Sequence, residues 1–382
     1  MPSLLPNVDP DGLMEFSVVY TDRSLNHMSE EFKKVMLDIS SILKEAYNAS
    51  SAVIVPGSGT YGMEAVARQF ANNEKCLVLR NGWFSYRWTQ IFDLANITKD
   101  ITVIKGKQQV DATQGVFAPA PIEEVVAFIQ KEKPAVVFAP RVETSAGIIL
   151  PDAYLKAIGD AVRSVNGLFV LDCIASGAMW VDMQACNVDI LITAPQKGWT
   201  GSPCCALVAM GERARARIDA TQSSSFALDL KKWLHIMEAY EKGGYLYHTT
   251  MPTDALRVSR NVMQETQALG FDMLKQKQQE LGDKVRALLV SKGFPSVAAP
   301  GFQAPGVVVS YTADPDIQTG IKFVALGMQT AAGVPLQCDE RPDFRTFRIG
   351  LFGLDKLMNV DRTVAYLEEA LEKITETEAQ PQ

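Results

Sequence analysis

Between Gly167 and Met210 the chain reads GLFVLDCIASGAMWVDMQACNVDILITAPQKGWTGSPCCALVAM, and three short apolar runs within it decide the fold. Leu168-Phe169-Val170-Leu171 stops on an acid, Asp172. Asp189-Ile190-Leu191-Ile192-Thr193 stops on Ala194-Pro195-Gln196-Lys197 and a loop holding Gly198, Gly201 and Pro203. Cys204-Cys205-Ala206-Leu207-Val208-Ala209 is the third run. Continuous apolar strands suit a sheet covered on both faces, and such sheets place their chemistry at the carboxyl ends of the strands. The spacing therefore predicts one acid and one lysine, 25 residues apart, at neighbouring strand ends.

That pairing has a specific chemical use. Pyridoxal phosphate takes a lysine as its Schiff-base partner and an acid facing the pyridinium nitrogen, which keeps the ring protonated and able to accept electrons. The lysine must also be able to lose its proton, which burial and the cofactor's own charge bring about. A strand-end aspartate acting as a cap and a surface lysine would look the same in this segment alone. The rest of the chain has to decide.

With 382 residues the chain is long enough for one large domain and a smaller one. Hydrophobic residues make up 47% and charged residues 21%, a globular balance with ample core. The net charge of −7 comes with no basic block, which argues against nucleic acid or an anionic membrane as the main partner. No apolar stretch reaches transmembrane length, and MPSLLPNVDPDG lacks the features of a signal peptide. The six cysteines form no CxxC pair and several sit in apolar runs, as expected of reduced core residues in a cytoplasmic protein. The three histidines are scattered, so no metal site is expected.

Residues 1–28 read as an irregular arm. Ser29 caps a helix running through Val35, Ile39, Ile42 and Ala46. Ser51 to Val55 is a strand, and the glycine loop Pro56-Gly57-Ser58-Gly59-Thr60-Tyr61-Gly62 opens a helix from Met63 to Ala71. Gly57, Gly59 and Gly62 spell the GxGxxG of a dinucleotide site. Arg80, at the end of the strand Cys76–Leu79, stands where an NADP enzyme would hold its extra phosphate. No acid follows the loop at the distance NAD requires, and an NADP site would leave Asp172 and Lys197 without a role. Either way, a helix N-terminus behind such a loop binds phosphate.

Asn81-Gly82-Trp83-Phe84-Ser85 reads as an aromatic loop at the next strand end. Strands follow at Ile101–Lys105 and Ala135–Ala139, and helices at Pro121–Lys131 and Tyr154–Val165, the alternation of a doubly wound sheet. Beyond Gly211, Arg213–Ala220 is a polar stretch and Trp233–Glu241 an amphipathic helix. Tyr245–Pro252 is a hydroxyl-rich loop. Asp254–Ser291 reads as one long helix with a kink at Gly270. Short strands (Val307–Tyr311, Phe347–Ile349) and helices (Thr319–Leu326, Asp361–Ile374) complete an α+β unit, and Thr375–Gln382 reads as a frayed end.

Taken together, these segments resemble the class V aminotransferases of the fold-type I pyridoxal-phosphate enzymes, closest to the alanine–glyoxylate and serine–pyruvate group, over roughly residues 25 to 375. GSGTYGMEA resembles the family's phosphate loop and implies Ser58, Gly59 and Thr60 on the phosphate. NGWFS resembles the segment whose aromatic stacks on the ring, which falls on Phe84 with Trp83 one residue off. ETSAG implies Thr144 near the ring hydroxyl. LDCIAS implies Asp172 at the ring nitrogen and Ile174 on the other ring face. APQKGWTGSPC resembles the Schiff-base segment, with Gln196 toward the phosphate and Lys197 as the imine lysine. YHTTMP is similar to the segment that reaches the partner subunit's phosphate through Tyr247 and Thr250, which implies a homodimer with shared sites. FRIGLFG is similar to RIGLLG and implies Arg348 as the clamp on the substrate carboxylate.

The resemblance implies an α/β fold. A large cofactor domain (29–255) carries a mostly parallel seven-stranded sheet between helices, preceded by an arm (1–28) and followed by a smaller α+β domain (256–382). It also implies a ping-pong transfer, through pyridoxamine phosphate, from a small amino acid such as alanine or serine to glyoxylate or pyruvate. The N-terminal segment MEFSVVYTDRSLNHMS departs from the family's Gly-Pro-Gly-Pro opening. Tyr20 and Arg23 then either read a second substrate group or tie the arm at a dimer seam. The alternatives are a lyase or cysteine desulfurase, whose lysine usually follows a histidine where Gln196 stands here, and an NADP-binding oxidoreductase.

Overall fold

The computed structural model describes residue 5 and residues 8–379. Strands β1 (Ser51–Pro56), β2 (Cys76–Arg80), β3 (Ile101–Lys105), β4 (Val136–Pro140), β5 (Leu168–Asp172), β6 (Ile190–Thr193) and β7 (Cys205–Met210) form one sheet. Their order is β1-β7-β6-β5-β4-β2-β3. β7 runs antiparallel to both neighbours, and the pairs from β6 to β3 are parallel. The central strands are buried along their whole length, which is why they read as unbroken apolar runs and not as alternation. Register aligns Asp172 with Pro140 on one side and Ile192 on the other, so the last residue of β5 lies at the rim where the neighbouring loops leave.

Helices cover both faces. The first is α1 (Glu30–Tyr47), whose N-cap Ser29 accepts from the Phe32 N–H at 3.1 Å, a bond worth about 1 kcal/mol. Next come α2 (Gly59–Phe70), α3 (Trp83–Leu94), α4 (Ile122–Glu132) and α5 (Asp152–Ser164). Trp88 and Phe92 of α3 pack on Phe138 of β4 with ring centroids 4.5 and 5.2 Å away, fixing α3 to the sheet. Beyond β7 lie α6 (Glu212–Ile218), over the stretch read as merely polar, and α7 (Leu230–Glu241).

The sequence reading of 254–291 as one helix gives way to two, α8 (Thr253–Leu269) and α9 (Phe271–Ser291). Gly270 stands between them at φ +91°, a conformation that ends a helix and does not merely bend it. α8 lies along α1, with Arg260 paired to Glu31 and Asp38. A three-stranded antiparallel sheet, β8 (Val307–Tyr311), β9 (Ala331–Ala332) and β10 (Thr346–Gly350), builds the smaller unit in the order β8-β10-β9. The helix expected over 319–326 is split as α10 (Pro315–Thr319) and α11 (Ile321–Val324) by Gly320 at φ +84°. After α12 (Leu354–Met358), α13 (Val360–Ala379) continues past the predicted fraying point at Thr375. The last three residues of that predicted tail lie outside the described residues.

The described part of residues 1–28 forms no helix or strand, as expected. Within it Phe16 and Val18 are 87% and 102% exposed. Among the described residues no helix is long and apolar enough to cross a membrane, and no group of three or more His, Cys, Asp or Glu could hold a metal ion.

Candidate active site

The strands of the parallel set all end on one side of the sheet, and the loops and helix starts they feed enclose a cavity of about 220 Å³. Its wall contains Ser58, Gly59, Thr60, Phe84, Thr144, Asp172, Ile174, Gln196 and Lys197, nine of the twelve residues singled out in the sequence.

α2 begins four residues earlier than the sequence reading placed it, so the glycine loop is only Gly57-Ser58 and Gly59 is already helical. The two helical glycines serve close packing. A Cβ on Gly59 would meet Ile174 Cδ1 at 2.6 Å, and one on Gly62 would meet Ala206 Cβ at 2.5 Å. The first turn of α2 carries no acid, and its N-cap, Ser58, makes no side-chain capping bond. This end therefore presents open N–H donors and the positive end of the helix dipole to the cavity.

The segment NGWFS is not a loop. Its last three residues are the start of α3, capped by Gly82, and ETSAG is what holds them there. Ser145 Oγ accepts from the Trp83 N–H at 2.9 Å, and the Glu143 carboxylate accepts from the N–H groups of Phe84 (3.2 Å) and Ser85 (2.9 Å). Glu143 also accepts from the Ser85 hydroxyl at 2.7 Å and from the Ser145 hydroxyl at 2.8 Å. Gly82 is needed because a Cβ there would lie 2.0 Å from Ser145 Oγ. A completely buried acid thus fixes the turn that presents Phe84 to the cavity.

Asp172 is 8% exposed and accepts one backbone bond, from the Ile174 N–H at 2.9 Å. Burial pushes its carboxyl up to about 6; the Ile174 bond and the charges of Arg87 and Lys197 work against that rise, and Glu143 adds to it. Lys197 sits on a turn closed by the Thr200 N–H donating to the Lys197 carbonyl (3.0 Å) and the Gly201 N–H to Pro195 (2.8 Å). Its amine is 5.2 Å from the centre of the Phe352 ring. Burial lowers its pKa, and the positive charges of Arg348 and Arg87 lower it further against the pull of Asp172. The acid and the lysine predicted at neighbouring strand ends face one cavity.

Arg348, on β10, lies outside the cavity wall but near it: its guanidinium is 5.5 Å from the Phe84 ring centre, and its Nε donates to the Ala332 carbonyl at 2.8 Å. Tyr247 and Thr250 do not line the cavity. They bond to each other at 3.0 Å on the surface, beside His27. Tyr20 donates to the Met251 carbonyl at 3.2 Å, and neither it nor Arg23 reaches the cavity. Arg80 is engaged elsewhere, stacked on the Tyr86 ring at 4.6 Å and bonded to Thr89, so it is not the free cation an NADP site would use.

Sequence reading missed four wall residues, Met63, Arg87, Val142 and Ala175. Only Arg87 left a signal: it follows Phe84 by three residues, which is the same side of a helix once α3 is recognised.

The donor set fits pyridoxal phosphate. The open end of α2 suits a phosphate, and the buried Gln196 Oε1, which has no partner, marks a place where a polar ligand completes the bonding. Asp172, short of donors, suits a basic ring nitrogen. The family model described as Aminotransferase class-V matches residues 12–310. The chain is 25% identical over 290 residues to the soluble hydrogenase small subunit of Synechococcus, covering 74% of this chain and 71% of that one. It is 24% identical over 367 residues to the alanine–glyoxylate aminotransferase of Oryctolagus cuniculus, covering 93% and 88%. The crystal structure of a Thermus thermophilus aspartate aminotransferase has the same fold, with a TM-score of 0.75, 23% identity, and coverage of 92% and 93%. With a family match that spans most of the sequence and a cavity whose groups suit the cofactor, this chain belongs to the class V aminotransferases and is a pyridoxal-phosphate-dependent enzyme.

Proposed function

We propose that the enzyme moves an amino group from a small L-amino acid, alanine or serine in kind, to a small 2-oxo acid, glyoxylate or pyruvate, in two half-reactions. The observation that carries this reading is a lysine whose amine is made less basic by burial, in one cavity with an acid that burial has pushed up, with Arg348 close by. The similarity to an alanine–glyoxylate aminotransferase supports the choice of substrates. When bound, the cofactor supplies an aldehyde carbon that takes the amino group and a ring that draws electrons from the substrate Cα.

In this reading Ser58, Gly59, Thr60 and Gln196 receive the phosphate, Phe84 and Ile174 bracket the ring, and Thr144 lies at its hydroxyl. Asp172 holds a proton on the ring nitrogen. Lys197 is the covalent partner and then, as a free amine, the base that takes the proton from the substrate Cα. Burial and the neighbouring positive charges make the neutral form easier to reach than in an exposed lysine. Arg348 receives the substrate carboxylate through two parallel N–H bonds, which sets the orientation of the Cα–H bond. The exposed Tyr247–Thr250 pair reaches the phosphate of a second copy, so the working form is a homodimer.

A desulfurase-like alternative needs a reactive cysteine. Cys338 is 5% exposed, and burial pushes its thiol up to about 12, which leaves no thiolate for such chemistry. The test is the visible absorbance of the purified protein while amino acids and then 2-oxo acids are added singly. Alanine or serine should shift the band, and glyoxylate or pyruvate should restore it. Lys197→Ala should lose both the band and turnover. A response confined to aspartate or an aminophosphonate would overturn the substrate assignment.

A further inference from the structure

Arg87 projects from the second turn of α3 into the cavity wall, and among the described residues its one hydrogen bond is from Nη1 to the Thr60 hydroxyl at 3.0 Å. Its guanidinium lies 5.4 Å from the Phe84 ring centre. Among the described residues no acid forms an ion pair with it. Thr60 is the second residue of α2, so the cation is held beside the open, positive end of another helix. Two positive sources placed together repel, and no acid in the first turn of α2 offsets them. The Glu143 and Ser145 bonds fix the backbone at the start of α3, the helix that carries the arginine. Such an arrangement suits an anion placed between its parts.

We propose that Arg87 supplies the positive charge that holds the cofactor's phosphate at the N-terminus of α2, with the Thr60 hydroxyl fixing the guanidinium in place. The inference rests on the cofactor assignment above. It adds a residue to the phosphate side of the site, where the helix end alone offers only about half a unit charge against a phosphate dianion. It also gives α3 two tasks on one face, ring contact through Phe84 and phosphate charge through Arg87, one helical turn apart.

The experiment compares pyridoxal phosphate with pyridoxal, which lacks the phosphate. Cofactor-free wild type, Arg87→Met, Arg87→Lys and Thr60→Val are titrated with each compound by visible absorbance, with inorganic phosphate as competitor. Arg87→Met should weaken pyridoxal phosphate binding by about 30-fold or more while changing pyridoxal binding less than about threefold. Arg87→Lys should recover much of the loss, and Thr60→Val should give a smaller, phosphate-specific loss. Inorganic phosphate should compete less well in Arg87→Met than in wild type. Equal losses for both compounds would overturn the proposal and assign Arg87 to ring positioning. Unchanged affinity for pyridoxal phosphate would overturn it outright. If wild type binds neither compound, the cofactor assignment itself fails, a result distinct from either.

Discussion

α2 and α3 both start at the carboxyl edge of the same sheet and contribute to the same cavity, yet their first turns are treated in opposite ways. At α3 the first three N–H groups are all bonded, one to Ser145 and two to the buried Glu143. At α2 the N-cap makes no side-chain bond, no acid sits in the first turn, and a cation stands beside it. The two buried acids differ in the same sense. Glu143 accepts from backbone and hydroxyl donors around both oxygens, whereas Asp172 has one backbone donor and a carboxyl pushed up to about 6. Satisfied groups hold the frame, and groups left short of partners are where a ligand gains binding energy.

Breaking the closed end should have the largest effect. Glu143→Ala leaves buried N–H groups without acceptors and should cost about 3–5 kcal/mol, read as a fall in the urea midpoint of the cofactor-free protein. A loss below about 1 kcal/mol would mean that α3 is held by something else. Closing the open end is the converse. Ser58→Asp places a carboxylate at the N-cap of α2, which should raise the melting temperature of the cofactor-free protein. It should weaken pyridoxal phosphate binding by about 100-fold, roughly 2.7 kcal/mol. Higher stability with unchanged affinity would separate that helix end from the phosphate.

The acids give a pH-dependent version of the contrast. Because burial raises the folded-state pKa of Asp172, its favourable contribution is present below the unfolded value near 3.8 and is lost as pH rises through about 6. At pH 8 the cofactor-free enzyme therefore carries a cost, of order 3 kcal/mol, from an ionised buried carboxylate. Asp172→Asn should be more stable than wild type at pH 8, with the difference vanishing toward pH 4, while cofactor chemistry is lost. An equal stability difference at both pH values would rule out the titration. The smallest effect is expected from Ser145→Ala, which removes one acceptor from the Trp83 N–H and should cost about 1 kcal/mol in thermal unfolding.

Much of this site was legible in the sequence because its residues sit where apolar runs stop. Asp172 and Lys197 end or follow strands whose lengths are fixed by full burial, so their placement at one edge follows from the pattern alone. Helix starts were harder. Gly59 to Gly62 read as loop because glycine is a poor helix former; they are helical, and glycine is required at both ends because Ile174 and Ala206 lie where side chains would be, a fact about residues more than a hundred positions away. NGWFS looked like loop because its cap is not local: the acceptors are on Glu143 and Ser145.

The sequence by itself determined the parallel sheet and the polar rim, since burial on both faces and strand-end polarity are written in short-range order, and the cofactor class came from the resemblance of its combined motifs to one family. Only the tertiary structure decided which helix end is closed and which is open, that Arg87 stands at the open one, and that Asp172 is left with a single donor. Those outcomes depend on partners brought together from distant parts of the chain, and periodicity carries no information about which donor meets which acceptor across a fold.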